Sequence, residues 1–315
     1  MALYLTRRLG FILLTMLLAS IVIFVATQLL PGDVAHVILG QFATPQAVAN
    51  LRHQLGLDQP VYVQYGLWLM KFVTGDWGNS ITSEQPVLPM VLERLRNSGM
   101  LAGVSLLFYV PLGIFLGVVA ALRREKFLDQ IISALSMAFA GLPEFVSGLL
   151  LISFVALTVG VLPANSSIDP NATFVQALPY LILPAITVSL TSLGYVARMT
   201  RASTIDVLNT AYVRAADLKG LSRLEVLFKH VLRNALLPTV TVVALGIGYL
   251  IGGLIVTESV YGYPGLGRLL IYGIQHRDLP IIQACSMVVV AVFSLSNLAA
   301  DILYGLLNPR IRVGS

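Results

Sequence analysis

NTAYVRAADLKGLSRLEVLFKHVLRNALLP, residues 209–238, separates two runs apolar enough to cross a bilayer and is the longest polar interruption after the first hundred residues. Its first half, 211–219, reads as a helix of about 13 Å at 1.5 Å per residue. Asn209 or Thr210 caps it, and Gly220 stops it where the chain must turn left-handed. Ser222 and Glu225 have capping-box spacing, so a second helix starts near Arg223. Two helices therefore meet at a glycine corner. Tyr212, Ala215, Ala216 and Lys219 share one face of the first helix at three- and four-residue spacing, with Arg214 and Asp217 leaning to the other. Spacing alone leaves two readings open: a docking element, or an amphipathic helix lying on lipid headgroups.

The surrounding composition narrows the setting. Of 315 residues, 57% are hydrophobic and 11% charged, with a mean hydropathy of +0.85. Ordinary soluble domains carry about 25% charged residues, so the chain reads as an all-α polytopic membrane protein. The net charge of +5 is spread among hydrophobic runs without a polybasic arm, which argues for a solvated membrane face and against a nucleic-acid partner. The single cysteine, Cys285, lies inside an apolar run and can form no internal disulfide.

Runs of spanning length occupy 9–30, 99–122, 131–159, 178–199, 239–257 and 281–307, giving six transmembrane helices in contact with lipid. The first is too long for a signal-peptide core and precedes Pro31-Gly32-Asp33, which has no small-residue cleavage pattern, so it reads as a retained span. Six crossings put both termini on one side. The termini, the 123–126 turn and the 198–233 loop carry 14 of the 20 Lys and Arg residues, which predicts that these segments are cytoplasmic. The expected organisation is an N-terminal span over 1–30, an extracytoplasmic lobe over 31–98 and a core of five spans over 99–307. The core includes a polar loop at 200–238, and a cytoplasmic tail follows at 308–315. Within the lobe, 47–58 has helical spacing, and 61–73 is an apolar, aromatic stretch too short to span, with Trp68 and Trp77 as interfacial anchors. Pro111, Pro143, Pro179 and Pro184 lie in or at the ends of spans and suggest kinks.

Catalytic chemistry is not visible. There is no Gly-x-x-x-x-Gly-Lys-Ser/Thr phosphate loop, so ATP is not expected on this chain, and His36, His53, His230 and His276 are scattered without metal-ligand spacing. Glu144, just after Pro143, lies near the middle of the third span, where an ionised group costs on the order of 2.5–3.5 kcal/mol. It is the one midplane candidate: a pore-lining group that attracts the cationic part of a substrate, or a packing residue. The turn TESVYGYPGLGR, 257–268, closes the fifth span with Gly, Pro and aromatics, which makes Glu258, Tyr263, Pro264 and Gly265 either an outer gate or a rigid corner.

Arg214-Ala215-Ala216-Asp217, Gly220 and Leu236-Leu237-Pro238 resemble the EAA loop of ABC importer permeases. Together with TRRLGF (6–11), Leu30-Pro31-Gly32-Asp33, LGLDQPVYVQY (55–65), GDWGNSI (75–81), RMTRAS (198–203), PGLGR (264–268) and NPRIR (308–312), they make the chain similar to the dipeptide/oligopeptide/nickel permeases. Arg214 stands where many members carry an acid, and Tyr263 where the peptide branch commonly has Trp. The resemblance implies a type I importer permease in the bacterial inner membrane, forming half of a translocation path for short peptides or a related small solute. It also implies a second homologous permease as heterodimer partner, two ATPase subunits holding ATP and Mg, and an extracytoplasmic substrate-binding protein. Carried over, the ATPase-coupling role falls on Tyr212, Arg214, Ala215, Ala216, Asp217 and Gly220, and the chain itself is no enzyme. An ion-gradient-driven secondary transporter is the alternative; it should show intramembrane carboxylates or broken helices in a coupling role.

Overall fold

The computed structural model describes residues 2–29, 44–54, 58–168 and 173–307. The expected turn at 30–33, the whole 31–43 stretch of the lobe and the NPRIR motif lie outside these residues. Described residues are almost entirely helical, with one isolated bridge between Asn79 and Pro86. Helices α1 (Ala2–Gln28), α2 (Pro45–Gln54), α3 (Val61–Thr74), α4 (Val87–Leu122), α5 (Phe127–Gly141) and α6 (Glu144–Val159) are followed by α7 (Phe174–Leu208) and α8 (Ala211–Leu218). Then come α9 (Arg223–Val260), α10 (Leu266–His276) and α11 (Leu279–Leu307). Five of these are long and apolar enough to cross a membrane, and the α5–α6 pair makes a sixth span if its two arms count together.

The expected third span is not one helix. α5 and α6 meet at a bend of 110°. Pro143 restricts the residue before it to extended backbone, and Leu142 has ψ 128°, so the helix ends there and restarts after the proline. Pro111, Pro179, Pro184 and Pro238 sit inside helices that continue through them. The last turns of α6, Ile152–Val159, and the start of α9, Val226–Val231, are wound as π-helix.

The chain forms two compact units. One comprises Ser98–Pro264 with the segment from Leu295 onward; the other comprises Ala2–Asn97 with Gly265–Ser294. In the first, α7 is the central helix. Its core partners include Leu101 and Tyr109 of α4 and Leu250 and Leu254 of α9, all buried with Leu181, Leu193 and Val196. Close approach is made possible by glycine: a Cβ on Gly117 would stand 2.6 Å from the Ala197 carbonyl oxygen, one on Gly113 would stand 2.8 Å from Val196, and one on Gly194 would collide with the Ser136 carbonyl. The broken pair touches α7 at three points, two on α5 and one on α6. Asp129 meets Arg201, Ser136 meets Gly194 and Gly148 meets Thr187, at seven-residue steps on the central helix.

Gly117→Val should therefore destabilise the first unit by about 1–3 kcal/mol through overpacking, while Gly103→Val, whose added atom meets nothing within 4 Å, should be near neutral. Thermal denaturation of the two purified variants in detergent tests the contrast. Equal melting temperatures would contradict the close crossing.

In the second unit, α1 and α3 are joined by rings: Phe24 lies 5.5 Å from Tyr65 and 5.6 Å from Trp68, and the run continues through Phe72 to Trp77, stacked at 4.8 Å. α3 has 14 residues, too few to span, and Val61, Tyr62, Met70 and Val73 are exposed on it, as an interfacial helix requires. Asp278 is fully buried; it accepts hydrogen bonds from the Ser80 hydroxyl (2.6 Å) and the Thr82 N–H (3.0 Å), tying the 78–87 turn to the α10–α11 corner.

Candidate functional site

The 209–238 segment folds as its local signals require. α8 ends on Gly220, whose φ of +78° lies in the left-handed region, and the Gly220 N–H donates to the Asp217 carbonyl at 3.0 Å. The Ser222 hydroxyl accepts from the Glu225 N–H at 3.3 Å and starts α9. Thr210 occupies the N-cap position with extended backbone but does not cap through its side chain; its hydroxyl donates back to the Val207 carbonyl at 2.6 Å.

Val213 and Ala216 point inward, packing with Val226, Val231 and Ala235 in a small core that fixes the corner. The expected face of Tyr212, Ala215, Ala216 and Lys219 is thus divided. Ala216 is 5% exposed, because the i, i+3 pair with Val213 is the stripe that finds apolar partners, whereas Ala215, Arg214, Asp217, Lys219 and Gly220 are exposed. The Tyr212 hydroxyl accepts from Asn234 at 2.9 Å, so this half-exposed ring braces α8 against α9. Arg214 bends back so that its Nη2 lies 3.4 Å from the Asn209 carbonyl. Around the corner stand Leu218, Leu224 and Phe228, 89%, 69% and 65% exposed, an apolar rim that the sequence reading does not mark. Their signal is available: they fall outside the 213/216 stripe yet are large and apolar.

Glu144 opens α6 as its first residue, at the positive end of the helix, a position that favours a carboxylate. It borders a cavity of about 600 Å³ shared by α4, α7 and α9, a size typical of small-ligand sites. A Cβ on Gly253 would stand within 2.6 Å of the Glu144 Oε2, so a glycine makes room for the carboxylate. One heptad earlier on the same face of α9, a Cβ on Gly246 would lie 3.6 Å from the Tyr109 hydroxyl. That hydroxyl is buried without a hydrogen-bond partner, which costs roughly 1–3 kcal/mol. Thr191, Ser192, Tyr195 and Tyr249 complete the polar lining, and among the described residues no Lys, Arg or His borders the cavity. Tyr109, Ser192, Gly246 and Gly253 carry no sequence signal, because each is an ordinary residue of an apolar run.

The 257–268 turn is packed within the first unit as far as Pro264. Glu258 and Tyr263 are fully buried, and Glu258 accepts a hydrogen bond of 2.5 Å from the Ser98 hydroxyl. Tyr261, between them, has its hydroxyl 2.8 Å from that of Thr187 and donates to the Gly148 carbonyl at 3.2 Å, while its own carbonyl accepts from the Ser166 N–H at 2.8 Å. Pro264 is half-buried and Gly265 buried. These bonds describe a braced corner holding α6, α7 and the 160–168 segment to the end of α9.

Comparison with known proteins is consistent across the chain. Residues 113–313 match the family described as binding-protein-dependent transport system inner membrane component, and residues 1–98 match its N-terminal component. The probable peptide ABC transporter permease protein y4tP of Sinorhizobium fredii is 38% identical over 312 residues, 99% of this chain and 100% of that one. The glutathione transport system permease protein GsiC of Escherichia coli K12 is 37% identical over 309 residues, 98% of each. A chain from an inward-facing structure of the MetNI methionine ABC transporter shares the fold, with a TM-score of 0.59 at 18% identity, over 71% of this chain and 98% of that one.

Proposed function

The chain belongs to the binding-protein-dependent transport system inner membrane components as a permease subunit of an ABC importer, and from that premise we propose that it carries short peptides or a related small solute. In this reading it forms half of the path beside a second, homologous permease. Two ATPase subunits, which hold ATP and Mg, bind on one side, and a substrate-binding protein delivers solute from the other. Both termini and the 198–233 loop face the cytoplasm of a bacterial inner membrane, in keeping with the 14 of 20 basic residues on those segments.

One observation supports the coupling assignment above others: α8 is anchored by Val213, Ala216 and the Tyr212 hydroxyl, yet leaves Arg214, Ala215, Asp217, Leu218 and Gly220 exposed on a rigid corner. Such an element transmits displacement from a docked subunit into α7 and α9, between which it lies in the chain. Ala216 acts by fixing that element, and Glu258, Tyr263, Pro264 and Gly265 serve as the rigid end of the outer gate. No relative supports the ion-gradient alternative.

The test is uptake of glutathione and of dialanine by vesicles containing the assembled transporter. Uptake of at least one should require ATP on the ATPase side and survive ionophores that collapse ion gradients. Transport of either by this chain without ATPase subunits, driven by an ion gradient, would overturn the reading.

A further inference from the structure

We propose that the cavity bordered by Glu144, Tyr109 and Ser192 is a subsite for the primary ammonium group of the transported solute. The inference rests on the chain being a transport subunit and adds the chemistry that one part of its path selects. Three features carry it. Among the described residues the cavity, about 600 Å³, is bordered by one carboxylate and no basic side chain, so a cationic ligand supplies the complementary charge. The Tyr109 hydroxyl is buried, borders the cavity and lacks a partner. Gly253 on α9 leaves room for the carboxylate, and any side chain there would displace the acid; Gly246, one heptad earlier, faces the Tyr109 hydroxyl at ordinary contact distance.

The donor count favours an ammonium. A primary ammonium has three N–H donors and no acceptor. The carboxylate of Glu144 and the hydroxyl oxygens of Tyr109 and Ser192 supply acceptors at the border of one cavity, with the hydroxyls of Thr191, Tyr195 and Tyr249 also in its lining. A divalent metal would ask for six or more oxygen ligands with more anionic charge than one carboxylate provides. A carboxylate group on the ligand would meet Glu144 as a like charge with no cation to offset it. The remainder of the cavity, lined by Val196, Val242, Leu245 and Leu250, suits the apolar part of an amine-bearing solute.

The test uses a single reporter thiol in the assembled transporter, reconstituted in nanodiscs. Cys285, the only native cysteine, is replaced by alanine, and Thr191→Cys places the thiol at the cavity border without touching the three proposed acceptors. The rate of modification by cationic aminoethyl methanethiosulfonate, divided by that for the anionic sulfonatoethyl reagent and normalised to free thiol, should favour the cation. Glu144→Gln should lower this ratio about tenfold, as loss of one unit charge at close range in a partly solvated site implies. n-Butylammonium should slow modification, N-butylacetamide should not, and Tyr109→Phe should weaken the ammonium's protection while leaving the charge ratio unchanged. A ratio unaltered by Glu144→Gln, or equal protection by the two butyl compounds, overturns the proposal, and unchanged protection in Tyr109→Phe removes the hydroxyl from it. None of these readouts needs ATP turnover. ATP-dependent uptake that persists while the ratio fails separates this inference from the proposed function.

Discussion

Gly220→Val is expected to lower ATP-driven uptake about tenfold or more, since holding a β-branched residue left-handed costs roughly 1–2 kcal/mol and often more. Expression and membrane insertion should stay near normal. Gly220 has φ +78° and a Cβ there would meet nothing within 4 Å, so the penalty is conformational rather than steric crowding by neighbours. The chain relieves it by rotating out of the left-handed region, which turns the α8–α9 corner and moves the exposed rim of Leu218, Leu224 and Phe228 away from the position in which the proposed ATPase contact would meet it. Gly220→Asn is the matching control, because asparagine tolerates this region. Uptake and ATP hydrolysis measured together in proteoliposomes should show hydrolysis without transport for valine and near-normal coupling for asparagine. Equal uptake in the two variants would remove the corner from the coupling mechanism.

The second large effect concerns Asp129 and Arg201. The carboxylate is buried and receives a bidentate guanidinium, Nε at 2.5 Å and Nη2 at 2.7 Å, together with the Glu125 N–H at 2.9 Å. Glu125 itself has φ +64°, so the acid both pairs with α7 and holds the left-handed turn that precedes α5. Removing one partner of a buried pair strands the other. Arg201→Leu should therefore cost about 2–3 kcal/mol, below the range for fully enclosed pairs because the arginine side chain is 30% exposed. The double variant Asp129→Asn, Arg201→Leu should lose less than the sum of the singles. Melting temperatures of the purified transporter, compared across this cycle, give the coupling directly, and strict additivity would deny that the pair acts as a unit.

The spans and the glycine corner were legible in the sequence because their causes are local. Hydropathy over twenty residues depends on nothing beyond the run itself, and Gly220 and Ser222 act on their own backbone, whereas the Glu225 carboxylate pairs with Lys229 and leaves the expected capping box half made. Other features depend on tertiary context. Of Pro111, Pro143, Pro179, Pro184 and Pro238, only Pro143 breaks a helix axis; the other four sit inside helices that continue through them, in a way no sequence window records. Ala215 and Ala216 look alike in the sequence, and their separation into an exposed and a buried residue follows from where Val226, Val231 and Ala235 arrive. Glu144 stood out as an acid in an apolar run, but the residues sharing its cavity come from three other helices, and the room for its carboxylate is left by Gly253, whose contribution is the absence of a side chain.

The seven-residue ladder on α7 has a mechanical consequence. Arg201, Gly194 and Thr187 each receive a different and non-interchangeable partner: a carboxylate, a carbonyl that tolerates only glycine opposite it, and the backbone around Gly148. Sliding α5 and α6 by one turn would face Asp129 with an apolar position and drive Ser136 against a residue bearing a side chain. Translation along the axis is therefore keyed out at three points spread over about 21 Å. What the contacts permit is tilting of the three helices together, so that this part of the permease behaves as a stiff lever whose fulcrum must lie elsewhere.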